Sequence, residues 1–248
     1  MIEIRGLHKS FGEQKVLNGV NLHVPKGQIT AILGRSGAGK SVLLKHIIGL
    51  IRPDRGRIVV AGVDIIQLKD KALNEMRKRF GMLFQEAALF DSMTVGANVA
   101  FPLREHTTLR EEDIGRIVTQ KLAQVGLPGV ERKMPAELSG GMKRRVGLAR
   151  ALALDPEIVL FDEPTTGLDP PMAEAIEDLI IQTQGVLERT FVVITHDIQT
   201  AFHIAHTIAM LHEGTIVEEG TPEVFRRSSN PVVQAFLARN AQHKEVGL

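Results

Sequence analysis

Residues 34–41 read Gly34-Arg35-Ser36-Gly37-Ala38-Gly39-Lys40-Ser41 and match the phosphate-binding pattern G-x-x-x-x-G-K-[ST] in full. An apolar run at residues 28–33 precedes this loop, and helix-compatible residues 42–50 follow it. Glycines let backbone N–H groups point inward around a polyphosphate, and the N-terminus of the following helix adds partial positive charge. The stretch predicts a nucleoside triphosphate site between a strand and a helix.

Two side chains at the end of this loop would act on the nucleotide directly. Lys40 can reach the β- and γ-phosphates, and Ser41 can ligate Mg²⁺. The next residue is Val42, so no second hydroxyl side chain follows Ser41. The predicted phosphate-binding residues of the loop therefore end at Ser41.

Composition excludes several classes of protein. The 248 residues carry 30 basic and 29 acidic side chains, so the net charge of +1 gives no overall field that favours nucleic acid or an anionic membrane. The absence of cysteine excludes disulfides, thiolate metal sites and a cysteine nucleophile, and fits a reducing cytosol. Residues 1–5 lack the apolar core of a signal peptide, and no apolar run approaches about 18 residues. We therefore expect the chain to reach a membrane only through a partner.

Short apolar runs alternate with helical segments along much of the chain. Continuously apolar strands separated by helices indicate a parallel sheet that is covered on both faces. From residue 92 to residue 154 the periodicity becomes helical. The sequence thus predicts an α/β nucleotide-binding core interrupted by a helical insert. The predicted strands include residues 2–5, 20–24, 28–33, 57–60, 81–84, 158–161 and 191–194.

Two acidic residues end the apolar strand at residues 158–161. A carboxylate at the end of a buried strand beside a phosphate loop can hold Mg²⁺, which suits Asp162. Glu163 would then face the γ-phosphate and polarise the attacking water, an effect of about 10²–10⁴-fold. The alternative is an exposed acidic pair that merely ends a strand.

A second phosphate-binding arrangement occurs at Leu138-Ser139-Gly140-Gly141-Met142, before a predicted amphipathic helix. Ser139 and the glycines present a hydroxyl and bare backbone N–H groups at a helix N-terminus. One triphosphate does not need two such cradles, so the second is expected to serve the nucleotide of another subunit. The alternative is an ordinary Ser N-cap with a flexible glycine pair. Met142 is expected to pack, and Lys143, Arg144 and Arg145 to form a solvated helix face.

The order and spacing of these motifs, with Gly167-Leu168-Asp169 and His196, resemble the ATP-binding cassette (ABC) ATPases over about residues 2–220. The resemblance implies a P-loop NTPase (RecA-like) α/β fold with an inserted helical subdomain. The core would comprise about residues 1–91 and 155–220, the helical subdomain 92–154, and a C-terminal helix and tail 221–248. It also implies a head-to-tail dimer that holds two ATP molecules, each between one copy's phosphate loop and the other copy's segment 138–142.

The same resemblance assigns roles to further residues, each with a simpler alternative. Gln85 would contact Mg²⁺ or the lytic water and sense a membrane partner, or would be an ordinary surface residue. His196 would hydrogen-bond the γ-phosphate, or be structural. Asp169 would contact the second copy, or cap a helix before Pro170. Phe11 would stack on adenine in the place of the family's usual tyrosine, or pack in the core.

Met142 stands where the family's signature normally ends in glutamine, while the phosphate-contacting Ser139 and Gly141 are intact. This feature, together with residues 99–107 and Arg144-Arg145-Val146, resembles the cassettes of the maintenance-of-lipid-asymmetry (Mla) and other MCE-type lipid transporters. That resemblance implies two copies beneath an integral membrane permease at the cytoplasmic face of a bacterial inner membrane. A STAS-domain cytoplasmic subunit and a periplasmic MCE-domain subunit would complete an assembly that moves phospholipid between the two membranes.

The helical insert near Gln85, including residues 87–90, would transmit motion to the permease, although these residues could be plain core. Residues 231–239 have no obvious local core to join, so the tail is expected either to contact a neighbouring cassette or the STAS partner, or to be a frayed helix end.

The sequence leaves three alternative functions: an ABC ATPase for another cargo, a soluble ABC ATPase of DNA repair or translation, and a P-loop kinase or binding-only regulator. The near-neutral charge argues against nucleic acid as a partner, and Glu163 favours water as the phosphoryl acceptor.

Overall fold

The computed structural model describes the backbone of residues 1–245 and the side chains of residues 1–239. The final part of the predicted tail, residues 246–248, lies outside the described residues. The chain divides into two compact units, one formed by residues 1–69 with the chain from Val192 onward, the other by residues 70–191. Strand β8 (Thr190–Thr195) contains the second point of division.

Within its described residues, the first unit contains seven strands besides the end of β8, and four helices. A short 3-10 helix at Ile65–Gln67 follows β5. The elements in chain order are β1 (Ile2–Phe11), β2 (Gln14–Val24), β3 (Ile29–Leu33), α1 (Lys40–Ile47), β4 (Arg55–Val60), β5 (Val63–Asp64), α7 (Ile198–Ile204), β9 (Thr207–His212), β10 (Thr215–Gly220), α8 (Pro222–Arg226) and α9 (Pro231–Glu245).

The first strands form an antiparallel sheet with the order β2-β1-β4-β5. Strand β1 pairs with β2 on one side, where Ile2 lies opposite Val24, and with β4 on the other, where Ile2 lies opposite Val60. The prediction of strands at residues 2–5, 20–24 and 57–60 is confirmed, but they do not belong to a parallel sheet. Whether two strands run parallel or antiparallel depends on how they pair, and the apolar runs alone do not reveal the pairing.

Strand β3 is buried throughout and pairs in parallel with β9, which in turn pairs antiparallel with β10. Neither β9 nor β10 is among the strands predicted from the sequence. Helix α7 packs on this part of the sheet through Ile198 and Ala201. Strand β3 delivers the chain directly into the phosphate loop, so the loop starts from the most buried part of the unit.

Helix α9 has a local core to join, so the expectation that residues 231–239 lack one is wrong. Val233 is 1% exposed and packs in a cluster with Leu33, Met210 and Phe225. Val232, Phe236 and Leu237 cover the same cluster from its edge. Leu33 on β3 and Met210 on β9 are far from α9 in sequence and Phe225 lies on the preceding α8, so the helix's own pattern could not identify these partners.

The second unit contains the helical segment together with a parallel strand pair. A short 3-10 helix at Pro135–Glu137 precedes α5. Helices α3, α4 and α5 fall within residues 92–154, for which the sequence predicted helices. The elements in chain order are α2 (Asp70–Arg77), β6 (Phe80–Leu83), α3 (Val95–His106), α4 (Glu111–Gln124), α5 (Gly140–Ala151), β7 (Ile158–Asp162), α6 (Pro170–Leu187) and the start of β8.

Strands β6 and β7 are parallel, with Phe80 opposite Ile158 and Leu83 opposite Phe161. At their entry, Arg79 makes a two-pronged ion pair with Glu157, with both N···O distances 2.7 Å. This pair joins the starts of both strands, together with backbone hydrogen bonds from the N–H groups of Glu157 and Ile158 to Arg79 O. The carboxyl ends of β6 and β7 carry Gln85 and Asp162 respectively. Within residues 1–245, no helix is long and apolar enough to cross a membrane.

Candidate functional site

In the first unit, the loop 34–41 joins β3 to α1 as predicted. The backbone turns back on itself at Ala38, whose N–H donates to Arg35 O at 3.1 Å. Gly39 stands at the helix N-terminus with φ of 100°, a conformation that side chains disfavour. A Cβ at Gly34 would lie 2.5 Å from Leu211 O. These two positions therefore require glycine, and the loop is a tight backbone cradle.

Lys40 lies against this cradle. Its Nζ donates to Gly34 O at 2.8 Å and to Arg35 O at 3.1 Å, and the residue is only 6% exposed. The ammonium group is therefore held on the carbonyl side of the loop at the start of α1.

The side-chain hydroxyl at the start of α1 is that of Ser41. The residue lies in the first turn of the helix and is half-buried. Position 42 carries the half-buried Val42 and not a serine, and the carbonyl oxygen of Val42 lies 2.7 Å from His46 Nδ1 within the helix. An apolar side chain cannot ligate a metal or a phosphate, so position 42 adds nothing to the nucleotide-binding set.

His196 directly follows β8 and is exposed. It lines a cavity of about 540 Å³ together with Arg35 and Ser36 of the loop and the side of α9 that includes Phe236. The neighbouring backbone is fixed, because Thr195 Oγ1 accepts from the N–H of Asp197 at 3.0 Å. The structure thus brings together the loop tip and the predicted phosphate-contacting histidine.

Phe11 ends β1 with 49% of its surface exposed, so the alternative of a packed core residue is wrong. The ammonium group of Lys9 lies 5.5 Å from the ring centroid, within the range of a cation–π contact. The ring presents an accessible apolar face in the same unit as the phosphate loop.

In the second unit, β7 ends at Asp162 and the chain turns sharply at Glu163, which has a left-handed φ of 51°. Thr166 Oγ1 donates to Glu163 Oε2 at 3.1 Å. A bulky residue adopts this backbone only where its surroundings enforce it, and such positions concentrate at functional sites. Glu163 is thus a specifically held carboxylate, which the simpler alternative of a strand-ending acidic pair does not explain.

Ser139 caps helix α5, with Oγ accepting from the N–H of Met142 at 3.3 Å. Ser139 and Gly140 are exposed, whereas Gly141 is buried. A Cβ at Gly141 would lie 2.8 Å from Met172 Sδ, so α6 approaches the first turn of α5 closely. Met142 is half-buried, as expected of a packing residue. The segment thus places Ser139 and Gly140 at the exposed N-terminus of α5.

Arg144 does not belong to a solvated helix face, so that expectation is wrong. The residue is 8% exposed, and its guanidinium donates to Thr166 O. Its Nε is buried with no hydrogen-bond partner among the described residues, and burial lowers the pKa of Arg144. Arg144 therefore joins helix α5 to the turn that begins at Glu163, a link that sequence spacing could not show.

Asp169 caps α6, with Oδ1 accepting from the N–H of Met172 at 3.0 Å. The helix-cap interpretation is confirmed, and the residue is also exposed.

Gln85 is exposed just beyond β6, and the residues that follow include Ala87 and Ala88, which both adopt left-handed conformations. Arg150 of α5 donates to the carbonyl groups of both alanines, a contact that the sequence analysis missed.

Comparison with known proteins identifies the family. Residues 17–166 match the family model described as ABC transporter. The chain belongs to the ABC transporter family. Its fold is that of the P-loop NTPase cassettes, since it superposes on the dimeric post-hydrolysis structure of the ATP-binding cassette MJ0796 bound to ADP and Pi. That match has a TM-score of 0.81 and 31% identity, covering 90% of this chain and 99% of that one.

Two curated relatives are similar over most of the chain. The probable ribonucleotide transport ATP-binding protein mkl of Mycobacterium tuberculosis is 48% identical over 236 residues, which cover 95% of this chain. The chain spans 66% of the length of that relative. The intermembrane phospholipid transport system ATP-binding protein MlaF of Haemophilus influenzae is 45% identical over 237 residues, covering 96% of this chain and 90% of that protein.

Proposed function

We propose that this chain is the ATP-hydrolysing motor subunit of a membrane ABC transporter that moves phospholipid between the inner and outer membranes. The observation that carries the proposal is the carboxylate of Glu163, fixed by its turn and by Thr166, in a family member that also has a complete phosphate loop and the signature segment 138–142. The relative named for phospholipid transport supports the cargo class. Because the mycobacterial relative is named for ribonucleotide transport, that cargo is the specific alternative.

The residues fit ATP and Mg²⁺. Gly34 must be glycine because a Cβ there would lie 2.5 Å from Leu211 O, and the glycines that follow leave backbone N–H groups unobstructed for a phosphate. Lys40 can exchange its loop carbonyls for phosphate oxygens. Among the residues that the structure describes, no cluster of three or more His, Cys, Asp or Glu side chains could hold a metal. Mg²⁺ is commonly held by one or two carboxylates together with substrate phosphates, which suits a donor set of Ser41, Gln85 and Asp162.

In this proposal the phosphates lie on residues 34–41 and the adenine stacks on Phe11. When bound, Mg²⁺ would neutralise charge on the phosphates. Glu163 accepts the proton of the attacking water, and Gln85 orients that water. His196 donates a hydrogen bond to the γ-phosphate, while Lys40 stabilises the charge that develops on it. These residues bind the nucleotide, orient the attacking water or accept its proton, so the chain itself supplies the proposed catalytic groups.

A second copy of the chain completes the nucleotide site. Ser139, Gly140, Gly141 and Met142 of one copy bind the γ-phosphate held by the other copy's loop, and Asp169 contacts the partner. The exposed N-terminus of α5 supports this, since its N–H groups and dipole suit an anion. ATP would draw the copies together through contacts made to both, and hydrolysis would release them. We propose the same domain division as the sequence indicates: core 1–91 and 155–220, helical subdomain 92–154, and tail 221–248.

The partners proposed are an integral membrane permease, a STAS-domain subunit and an MCE-domain subunit, with the chain peripheral at the cytoplasmic face of a bacterial inner membrane. Exposed aromatic rings near Gln85 support the contact with a permease. Phe84 and Phe90 are both 41% exposed, and the Phe90 ring packs in a tilted arrangement against Phe101, with the ring centroids 4.9 Å apart. The tail is proposed to contact a neighbouring subunit, although α9 also packs on its own unit.

The test is purification of the chain from detergent-solubilised membranes, followed by reconstitution of the complex in vesicles. The proposal expects an integral membrane subunit to co-purify and ATP to drive transfer of labelled phospholipid. Labelled ribonucleotide in matched vesicles tests the alternative cargo. ATP-dependent movement of ribonucleotide without phospholipid would overturn the lipid assignment. Purification without any membrane subunit would overturn the transporter assignment.

A further inference from the structure

The segment after Gln85 has an unusual backbone. Ala87 and Ala88 are consecutive non-glycine residues in the left-handed region, with φ of 61° and 46°. Ala87 is completely buried, whereas Ala88 is exposed. L-residues rarely adopt this conformation singly, and a run of two persists only where surrounding contacts enforce it. The position of Gln85 therefore depends on what holds the two alanines.

Arg150, in the last turn of α5, holds them. Its two terminal nitrogens donate to Ala88 O at 2.7 Å and Ala87 O at 2.6 Å. The planar guanidinium fork suits two adjacent acceptors, and a single-point ammonium group would not match both equally well. Burial of the guanidinium beside these carbonyl groups lowers the pKa of Arg150. The guanidinium carbon also lies 6.0 Å from the centroid of the Phe90 ring.

Helix α5 also contacts this segment about one turn before Arg150, at Gly147. A Cβ at Gly147 would lie 2.7 Å from Leu83 Cδ1 and 3.1 Å from Ala87 Cβ. No layer of side chain separates the helix from Ala87 there. A displacement of the helix would therefore shift Leu83 and Ala87, which lie on either side of Gln85 in the chain.

The other end of the same helix is Ser139 and the glycine pair, about 18 Å away for a helix of this length. A 12-residue helix transmits displacement as a rigid element. It thus joins the signature segment to the backbone that carries Gln85.

Asn98 provides a second anchor that does not involve α5. Its side chain is completely buried, accepts from Phe90 N at 2.8 Å, and donates to Phe90 O at 3.1 Å and Met93 O at 3.2 Å. It fixes the far end of the segment to α3. Asn98 therefore gives a matched control. Its loss loosens the same segment without breaking the link to α5, the signature helix, which begins at the signature segment 138–142.

We propose that Arg150 is a positioning residue that makes the placement of Gln85 follow the signature helix. Through it, contact of Ser139 with the partner's nucleotide would place Gln85 for hydrolysis. This inference rests on the proposed function, in which Gln85 orients the lytic water.

The first test compares steady-state ATPase activity of the full chain in its complex. Arg150→Met is expected to lower kcat by about 10–100-fold, because small misplacement of a catalytic group has effects of this size, while KM for ATP stays within about threefold. Arg150→Lys should recover part of the loss. Asn98→Ala should lower the melting temperature yet keep kcat within about threefold. Equal losses of kcat in Arg150→Met and Asn98→Ala would overturn the inference. If Met prevents folding, the Lys variant decides, and unchanged kcat there would overturn it.

A double-mutant cycle tests whether Arg150 acts through Gln85. Gln85→Ala alone should be slow, and adding Arg150→Met should lower kcat by less than about threefold more, because the two changes remove one effect. Losses that multiply would show that Arg150 acts elsewhere, and the inference alone would fail. Wild-type kcat in Gln85→Ala would remove the proposed role of Gln85 and the inference with it.

Discussion

The hydroxyl of Thr166 donates a 3.1 Å hydrogen bond to Glu163 Oε2, across a turn in which Glu163 has a left-handed backbone. Arg144 in turn holds the carbonyl oxygen of Thr166. The general base proposed for hydrolysis is therefore oriented by its own turn, and that turn is tied to the signature helix. The same helix reaches the segment after Gln85 through Arg150.

Replacement of the proposed base should separate binding from turnover. Glu163→Gln keeps the size of the side chain and an acceptor for Thr166, but an amide cannot accept the proton of water. We expect ATP binding to be retained and phosphate release to fall by about 10²–10⁴-fold. Glu174→Gln, at an exposed position on α6, is the control and should hydrolyse ATP normally. Normal turnover in the Glu163 variant would remove the assignment.

Loss of the Phe11 ring should weaken binding of ATP through its base. Stacking of a base on an aromatic side chain contributes about 1–3 kcal/mol, so Phe11→Ala should raise the dissociation constant for ATP by about 5–160-fold. Isothermal titration with ATP and with inorganic triphosphate makes the comparison. Because triphosphate has no base, its affinity should not change. An equal loss for both ligands would show that Phe11 supports the loop and does not stack on adenine.

Asp54 should make stability depend on pH. Lys9 Nζ donates to Asp54 Oδ1 at 2.9 Å and Ser10 N donates to Oδ2 at 2.7 Å, and together they hold the pKa of Asp54 below its usual value. A carboxyl with a depressed folded-state pKa adds stability above its unfolded pKa of about 3.9 and loses it as the pH falls through the folded value. Urea unfolding should show wild type more stable than Asp54→Asn near pH 7.

That difference should disappear as the pH is lowered below about 4. Lys9→Met provides the control, because removing the main cause of the depressed pKa should remove most of the pH dependence. A difference between wild type and Asp54→Asn that is constant with pH would contradict the ionic origin of this effect.

Helix α9 should stabilise its own unit. Val233 is 1% exposed, so Val233→Ala should lower the free energy of unfolding by about 1–3 kcal/mol through lost burial and a residual cavity. Val186→Ala is the matched control, because Val186 is 80% exposed and its change should stay within about 0.5 kcal/mol. Chemical denaturation measures both. Equal stability of the two variants would indicate that α9 does not rest on this core.

The sequence predicted the parts of the site that are local in the chain. The cradle around Gly34, the cap at Ser139 and the strand end at Asp162 each follow from a few adjacent residues, and the structure shows them in the predicted local settings. Burial of Arg144 and the hold of Arg150 on Ala87 and Ala88 depend on packing between distant segments. Spacing within one helix cannot reveal such contacts.

The same limit explains what was missed in the fold. Apolar runs identified β1, β2 and β4, but whether they run parallel depends on pairings such as Ile2 with Val24. The core under α9 is assembled from strands and helices that lie up to about two hundred residues away in the chain. Only the helix itself could be inferred from residues 231–239.

The central claim is that two copies of the chain share each ATP molecule. A crystal structure of the Glu163→Gln variant with Mg²⁺ and ATP tests it most directly. The account predicts that Ser139 Oγ of one copy lies about 3 Å from a γ-phosphate oxygen held by Lys40 of the other copy. A structure in which Ser139 is remote from every γ-phosphate, including those of symmetry-related copies, would contradict it.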